Sequence, residues 1–102
     1  MADISFTNAA VADLIEIDEF SLTQFGEEAG EAYMHGFDKA FELLRDHPRA
    51  GAAAYEYGKT YRCLVHQKHR IFYTVDIDNV LIVRVLHHAR DAKMVLGKAA
   101  KR

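Results

Sequence analysis

Cysteine is nearly absent: the chain of 102 residues has one, Cys63. A lone cysteine cannot close a disulfide within the chain, which excludes an oxidised framework. Leu64 and Val65 follow it, so Cys63 reads as a small apolar filler in a strand, the usual behaviour of a buried thiol. Arg62 and His66 lie near enough in sequence to leave a thiolate-stabilising setting open. Long apolar runs are missing too. No stretch approaches the ~20 apolar residues that span a bilayer. Met1-Ala2-Asp3-Ile4 has neither the basic nor the apolar region of a signal peptide. A cytoplasmic protein without membrane contact is expected. Repeats, low-complexity tracts and linkers are also lacking, and the length suits a single domain over residues 1–102. No Cys or carboxylate stands at a metal-ligand spacing, so neither a metal nor a cofactor is expected.

What is present is an ordinary globular balance, half apolar and 27% charged. The net charge of −2 hides a strong asymmetry. Residues 1–57 carry three basic against twelve acidic side chains, a balance of −9. Residues 58–102 carry ten basic against three acidic, a balance of +7. Such a split fits an electropositive face that meets an acidic partner. It also fits a solvated helical half beside a basic sheet.

The hydrophobic pattern changes along the chain. Ile4-Ser5-Phe6-Thr7 alternates as a half-buried strand does. Asn8 is a suitable N-cap. From Ala9 the period is helical, with Val11, Leu14, Ile15, Leu22 and Phe25 on one face, widened by Ile17 and Phe20. Gly26 stops this helix. Glu27 and Glu28 open a second one, with a stripe of Ala29, Ala32, Tyr33, Phe37, Ala40 and Leu44, and Pro48 ends it. Gly30 and Gly36 weaken the second helix by roughly 1 kcal/mol each relative to Ala, and close helix–helix approach would account for them. The short break makes an antiparallel helical hairpin. Arg49 to Gly58 is expected to be a loop. Three strands follow, Tyr61–Val65, Arg70–Val75 and Val80–Leu86, separated by turns at Gln67-Lys68-His69 and Asp76–Asn79. The last strand, apolar at nearly every position, suits a place covered on both faces. A short helix from about Ala89 to Ala100 ends the chain. The order β-α-α-β-β-β-α predicts an α+β fold with an N-terminal strand and helical hairpin packed on a mostly antiparallel sheet.

Several of these stretches resemble the RelE/ParE toxin superfamily. Asp13-Leu14…Ile17…Phe20 is similar to the family's D-L-x-x-I-x-x-aromatic. Leu44 to Gly51 is similar to L-x-x-x-P-x-x-G, and Arg70-Ile71-Phe72-Tyr73 to R-I-F-Y. Val83 to Asp91 resembles the ParE ending, through His87-His88-Ala89-Arg90-Asp91 in the place of its H-x-(A/S)-R-D close. The match runs from about Ser5 to Leu96, and it is the order and spacing of the elements that carry it. One departure is Ala52, which follows Gly51 where family members often carry a basic residue.

The resemblance implies the toxin of a type II toxin–antitoxin system, of the kind associated with plasmid stabilization. It implies neutralisation by a cognate ParD-like antitoxin whose C-terminal segment wraps around it in a hetero-oligomeric complex. ParE-like relatives poison DNA gyrase, whereas RelE-like relatives cut mRNA on the ribosome. For the ribonuclease alternative, Arg70 and Arg62 match basic positions and are expected to share a face and hold a phosphate. The tail tyrosine typical of RelE-like enzymes is missing from Asp91 to Arg102, and Leu64 stands where a further lysine is usual. No catalytic set is therefore assigned. His87 and His88 should point to opposite faces of a strand, one packed and one solvated. The basic strip is the candidate surface for target or antitoxin: Arg62, Lys68, His69, Arg70, His87, His88, Arg90 and Lys93, with Lys98, Lys101 and Arg102 beyond. An acidic amphipathic antitoxin segment is expected in the groove between the hairpin and the sheet.

Overall fold

The computed structural model describes residues 1–100, with side chains to residue 97. Its elements are β1 (Asp3–Phe6), α1 (Asn8–Asp46), β2 (Ala52–Ala53), a 3-10 turn (Tyr55–Tyr57), β3 (Tyr61–His66), β4 (His69–Asp76), β5 (Asn79–His87) and α2 (Ala92–Ala100). The sheet order is β1-β5-β4-β3-β2. β1 pairs parallel to β5 and every other pairing is antiparallel.

α1 is not one straight helix but two helices that meet at Gly26. A straight 39-residue helix would run about 58 Å, yet the longest dimension of the molecule is 39 Å. The chain reverses at Gly26, whose φ of 84° and ψ of 174° lie in a region open essentially only to glycine. Residues 8–25 and 27–46 are thus the two limbs of the expected hairpin. Gly30 sits against the Leu22 backbone, where an added Cβ would meet the amide nitrogen at 3.2 Å. Close helix approach explains that glycine. Gly36 has a different cause, because its missing Cβ leaves room for the His66 imidazole.

The first limb does not bury the face that its apolar residues suggest. Ala10, Asp13, Leu14, Ile17 and Ser21 turn inward, while Val11, Ile15, Phe20, Leu22 and Phe25 are exposed. The polar members of the inner face are satisfied locally or across the sheet: Ser21 donates to the Ile17 carbonyl at 2.7 Å, and Asp13 is described below. The helix cap also shifts by one residue. Thr7, not Asn8, accepts the Ala10 N–H at 3.0 Å and donates to the Val83 carbonyl at 2.7 Å.

Both faces of the sheet are covered. α1 packs over Ile71, Tyr73, Val80, Ile82 and Val85 through Phe37, Phe41 and Leu44. α2 and the 3-10 turn pack over Tyr61, Phe72, Val83 and Leu86 through Ala92 and Leu96. This is why β5 is apolar at nearly every position. The segment expected as a plain loop contains β2, which pairs Ala52 with Cys63. Gly51, just before it, is buried and donates its N–H to the Tyr73 hydroxyl at 2.9 Å. A Cβ there would lie 2.7 Å from the Cys63 carbonyl oxygen, so the loop glycine is required by close backbone approach. The turn between β3 and β4 has two residues, Gln67 and Lys68, and His69 already belongs to β4.

A groove between the helical hairpin and the sheet

Beside the β5 end, one extra residue interrupts the ladder. Phe72 pairs with Arg84 but Tyr73 pairs with Ile82, so Val83 bulges. Asp13, buried on α1, faces this bulge. Its carboxylate accepts Arg84 Nε at 2.7 Å, Arg84 Nη2 at 2.8 Å and the Val85 N–H at 2.9 Å. A fork-to-fork pair of this kind combines charge with fixed geometry, and the Asp13 contact pushes the Arg84 pKa further up. The sequence motif containing Asp13 pointed to a helix signature and gave no sign of this partner.

Past β5 the chain turns sharply. The Arg90 N–H donates to the His87 carbonyl, the Ala89 N–H to His87 Nδ1 at 3.1 Å, and the His88 N–H to the Lys68 carbonyl at 2.7 Å. Arg70 Nη2 braces the Arg90 carbonyl at 2.8 Å. Asp91 then caps α2, accepting the Lys93 and Met94 N–H groups at 3.1 and 3.3 Å. α2 therefore begins at Ala92, three residues later than expected. His88 lies outside the strand, so the alternation argument fails for it. Both rings are exposed and stack at 4.4 Å.

His69 is the packed histidine of the group. Its Nδ1 and the Tyr33 hydroxyl are hydrogen-bonded at 2.6 Å, and the His87 ring stands 5.4 Å away. Burial, then the neighbouring His87, His66 and His88, lowers its pKa to about 4. His69 is neutral at pH 7, and burial raises the Tyr33 pKa, so the two meet as uncharged groups.

An open groove of about 770 Å³ runs between the first limb of α1 and this end of the sheet. Glu16, Ile17, Phe20, Gln24 and Phe25 line it from the helix, joined by Tyr33. Lys68, His69, Val85, Leu86, His87 and Arg90 line it from the sheet side. The structure thus brings together Lys68, His69, His87 and Arg90 from the expected basic strip. His88 stacks beside them. Lys93 is exposed on α2, away from the groove. The side chains of Lys98, Lys101 and Arg102 lie outside the described residues.

Arg62 and Arg70 do not share a face. Strand alternation puts Arg62 on the α1 side, where Nε donates to the Gly51 carbonyl at 2.9 Å and Nη2 to the Arg49 carbonyl at 3.1 Å. Arg70 points to the opposite side, over the Phe72 ring at 5.2 Å. The phosphate clamp expected of this pair is not formed. Cys63 is half-buried in the α2-side core, and burial raises its thiol pKa. No group of three or more His, Cys, Asp or Glu side chains among the described residues is placed to hold a metal ion. No described helix is long and apolar enough to cross a membrane.

An α+β sheet with a hairpin helix on one face and a terminal helix on the other is the architecture of the RelE/ParE-type toxins. A solved structure described as the chromosomal ParDE TA system from P. aeruginosa superimposes with a TM-score of 0.71 at 19% identity, covering 85% of this chain and 96% of that one. That likeness concerns the fold. Residues 4–92 match the family described as "ParE toxin of type II toxin-antitoxin system, parDE". The sequence is 30% identical to Toxin ParE1 of Caulobacter vibrioides over 97 residues, 95% of this chain and all of the relative. It is 33% identical to Toxin ParE1 of Mycobacterium tuberculosis over 84 residues, 81% of this chain and 86% of the relative. The chain belongs to the ParE toxin family of type II toxin–antitoxin systems.

Proposed function

We propose that this toxin acts in the cytoplasm by binding DNA gyrase, and that a ParD-like antitoxin neutralises it by filling the groove between the hairpin and the sheet. The observation that carries the proposal is the groove: an apolar floor of Ile17, Phe20, Phe25 and Val85 with exposed charges on its rims. A floor of this kind suits the apolar face of a helix laid into it. Lys68, His69, His87, His88 and Arg90 are the contact residues assigned to partner and target. The ribonuclease alternative rested on Arg62 and Arg70 gripping one phosphate, and their placement on opposite faces removes that motive. Gyrase as target rests on the family resemblance.

Purified toxin added to gyrase and relaxed plasmid is expected to halt supercoiling and to accumulate cleaved DNA. Unimpaired supercoiling at a large toxin excess, with no cleaved product, contradicts gyrase as the target.

A further inference from the structure

The two walls of the groove carry opposite charge. Glu16 stands on the helix wall, Lys68 and Arg90 on the sheet wall, and all three are exposed. Among the described residues the close acid–base contacts are Arg84–Asp13 and His35–Asp38, so none of the three has an ionic partner there. Asp13, at the groove floor, is closed off by Arg84 and the Val85 N–H. Glu16 adds to the field around Arg84 without pairing with it. Between the charges lie Ile17, Phe20, Phe25 and Val85.

An uncompensated acid facing two uncompensated bases across an apolar floor is not complementary to a uniformly acidic ligand, because one wall would repel it. It is complementary to a helix whose apolar stripe is flanked by basic residues on one side and acidic residues on the other. Turning such a helix end for end exchanges its flanks and sets like charges against each other, a penalty that selects one orientation. We infer that the antitoxin segment seated here has this divided charge, and that Glu16, opposed to Lys68 and Arg90, fixes the direction in which it lies. The inference rests on the antitoxin reading above. It departs from the wholly acidic segment that the +7 balance of residues 58–102 suggests.

The test uses the full chain and, as probe, its tagged cognate ParD-like antitoxin. Affinity is measured for the wild type, Glu16→Lys, Arg90→Glu and the control Lys59→Glu, an exposed site outside the groove. Thermal unfolding verifies that each variant is folded. Glu16→Lys and Arg90→Glu are each expected to raise Kd by about fivefold, the upper scale of an exposed ion pair, mainly through slower association, while Lys59→Glu leaves it unchanged. Tighter binding by Glu16→Lys overturns the inference in favour of a uniformly acidic segment. Indifference to both reversals overturns it by placing the partner elsewhere. Failure of the wild type to bind the probe brings down the antitoxin reading itself. Retention of a labelled single-stranded oligothymidylate in place of the protein, abolished by Arg90→Glu, overturns it in favour of a nucleic-acid groove.

Discussion

The Asp13 carboxylate receives donors from two consecutive residues of β5, 71 and 72 positions away in sequence. Removing it leaves the Arg84 guanidinium and the Val85 N–H without a partner beside a bulge. Asp13→Ala is expected to cost about 3 kcal/mol, the scale for breaking a largely buried pair from one side, read from urea unfolding. Stability equal to the wild type contradicts this account of Asp13. Arg84 was legible only as a polar interruption in an apolar strand, since sequence spacing cannot show which helix face meets which strand. His69 brings a pH dependence. Its folded pKa of about 4 lies below the ordinary 6.5, so the unfolded chain binds the proton more readily. The stability conferred by the neutral ring is present above pH 6.5 and declines as pH falls toward 4. Thermal unfolding across that interval is expected to show the decline, and His69→Phe to flatten part of it. An unchanged profile in the variant contradicts the assignment.

At the scale of elements, the strands of the β3-β4-β5 meander were legible to within a residue or two, because β-branched and aromatic runs between turn residues leave little choice. β2 was not, since two alanines carry no strand signal and pair only because Gly51 lets the backbone approach Cys63. The hairpin was legible from Gly26, whereas its buried face was misread. Val11, Ile15, Leu22 and Phe25 repeat at helical spacing yet remain exposed, while Asp13 and Ser21 are buried with hydrogen bonds that offset their polarity. Periodicity counts apolar residues and does not register a satisfied polar one. The reversal itself depends on one glycine. Gly26→Ala places a Cβ at φ 84°, ψ 174° with no steric neighbour within 4 Å, so the cost is backbone strain alone, about 1–3 kcal/mol. A loss of this size in denaturant midpoint is expected, and no loss contradicts the role given to Gly26.

At the scale of the molecule, the charge division of the chain becomes a division of space. The acidic half forms the hairpin, the basic half forms most of the sheet, and the groove opens where the two meet. The sheet wall of the groove was legible from the basic strip and the family ending. The helix side, Glu16 at the rim with Ile17, Phe20 and Phe25 below it, was not, because it required the orientation of the first limb. The central claim is that this groove, rather than the surface around the 3-10 turn and α2, receives the antitoxin. The most direct measurement is site-specific photo-crosslinking in the co-expressed complex. A benzoylphenylalanine at Phe20, 56% exposed on the groove wall, is expected to capture the antitoxin, and one at Tyr55, 71% exposed on the opposite face, to leave it free. Capture from Tyr55 with none from Phe20 would contradict the account.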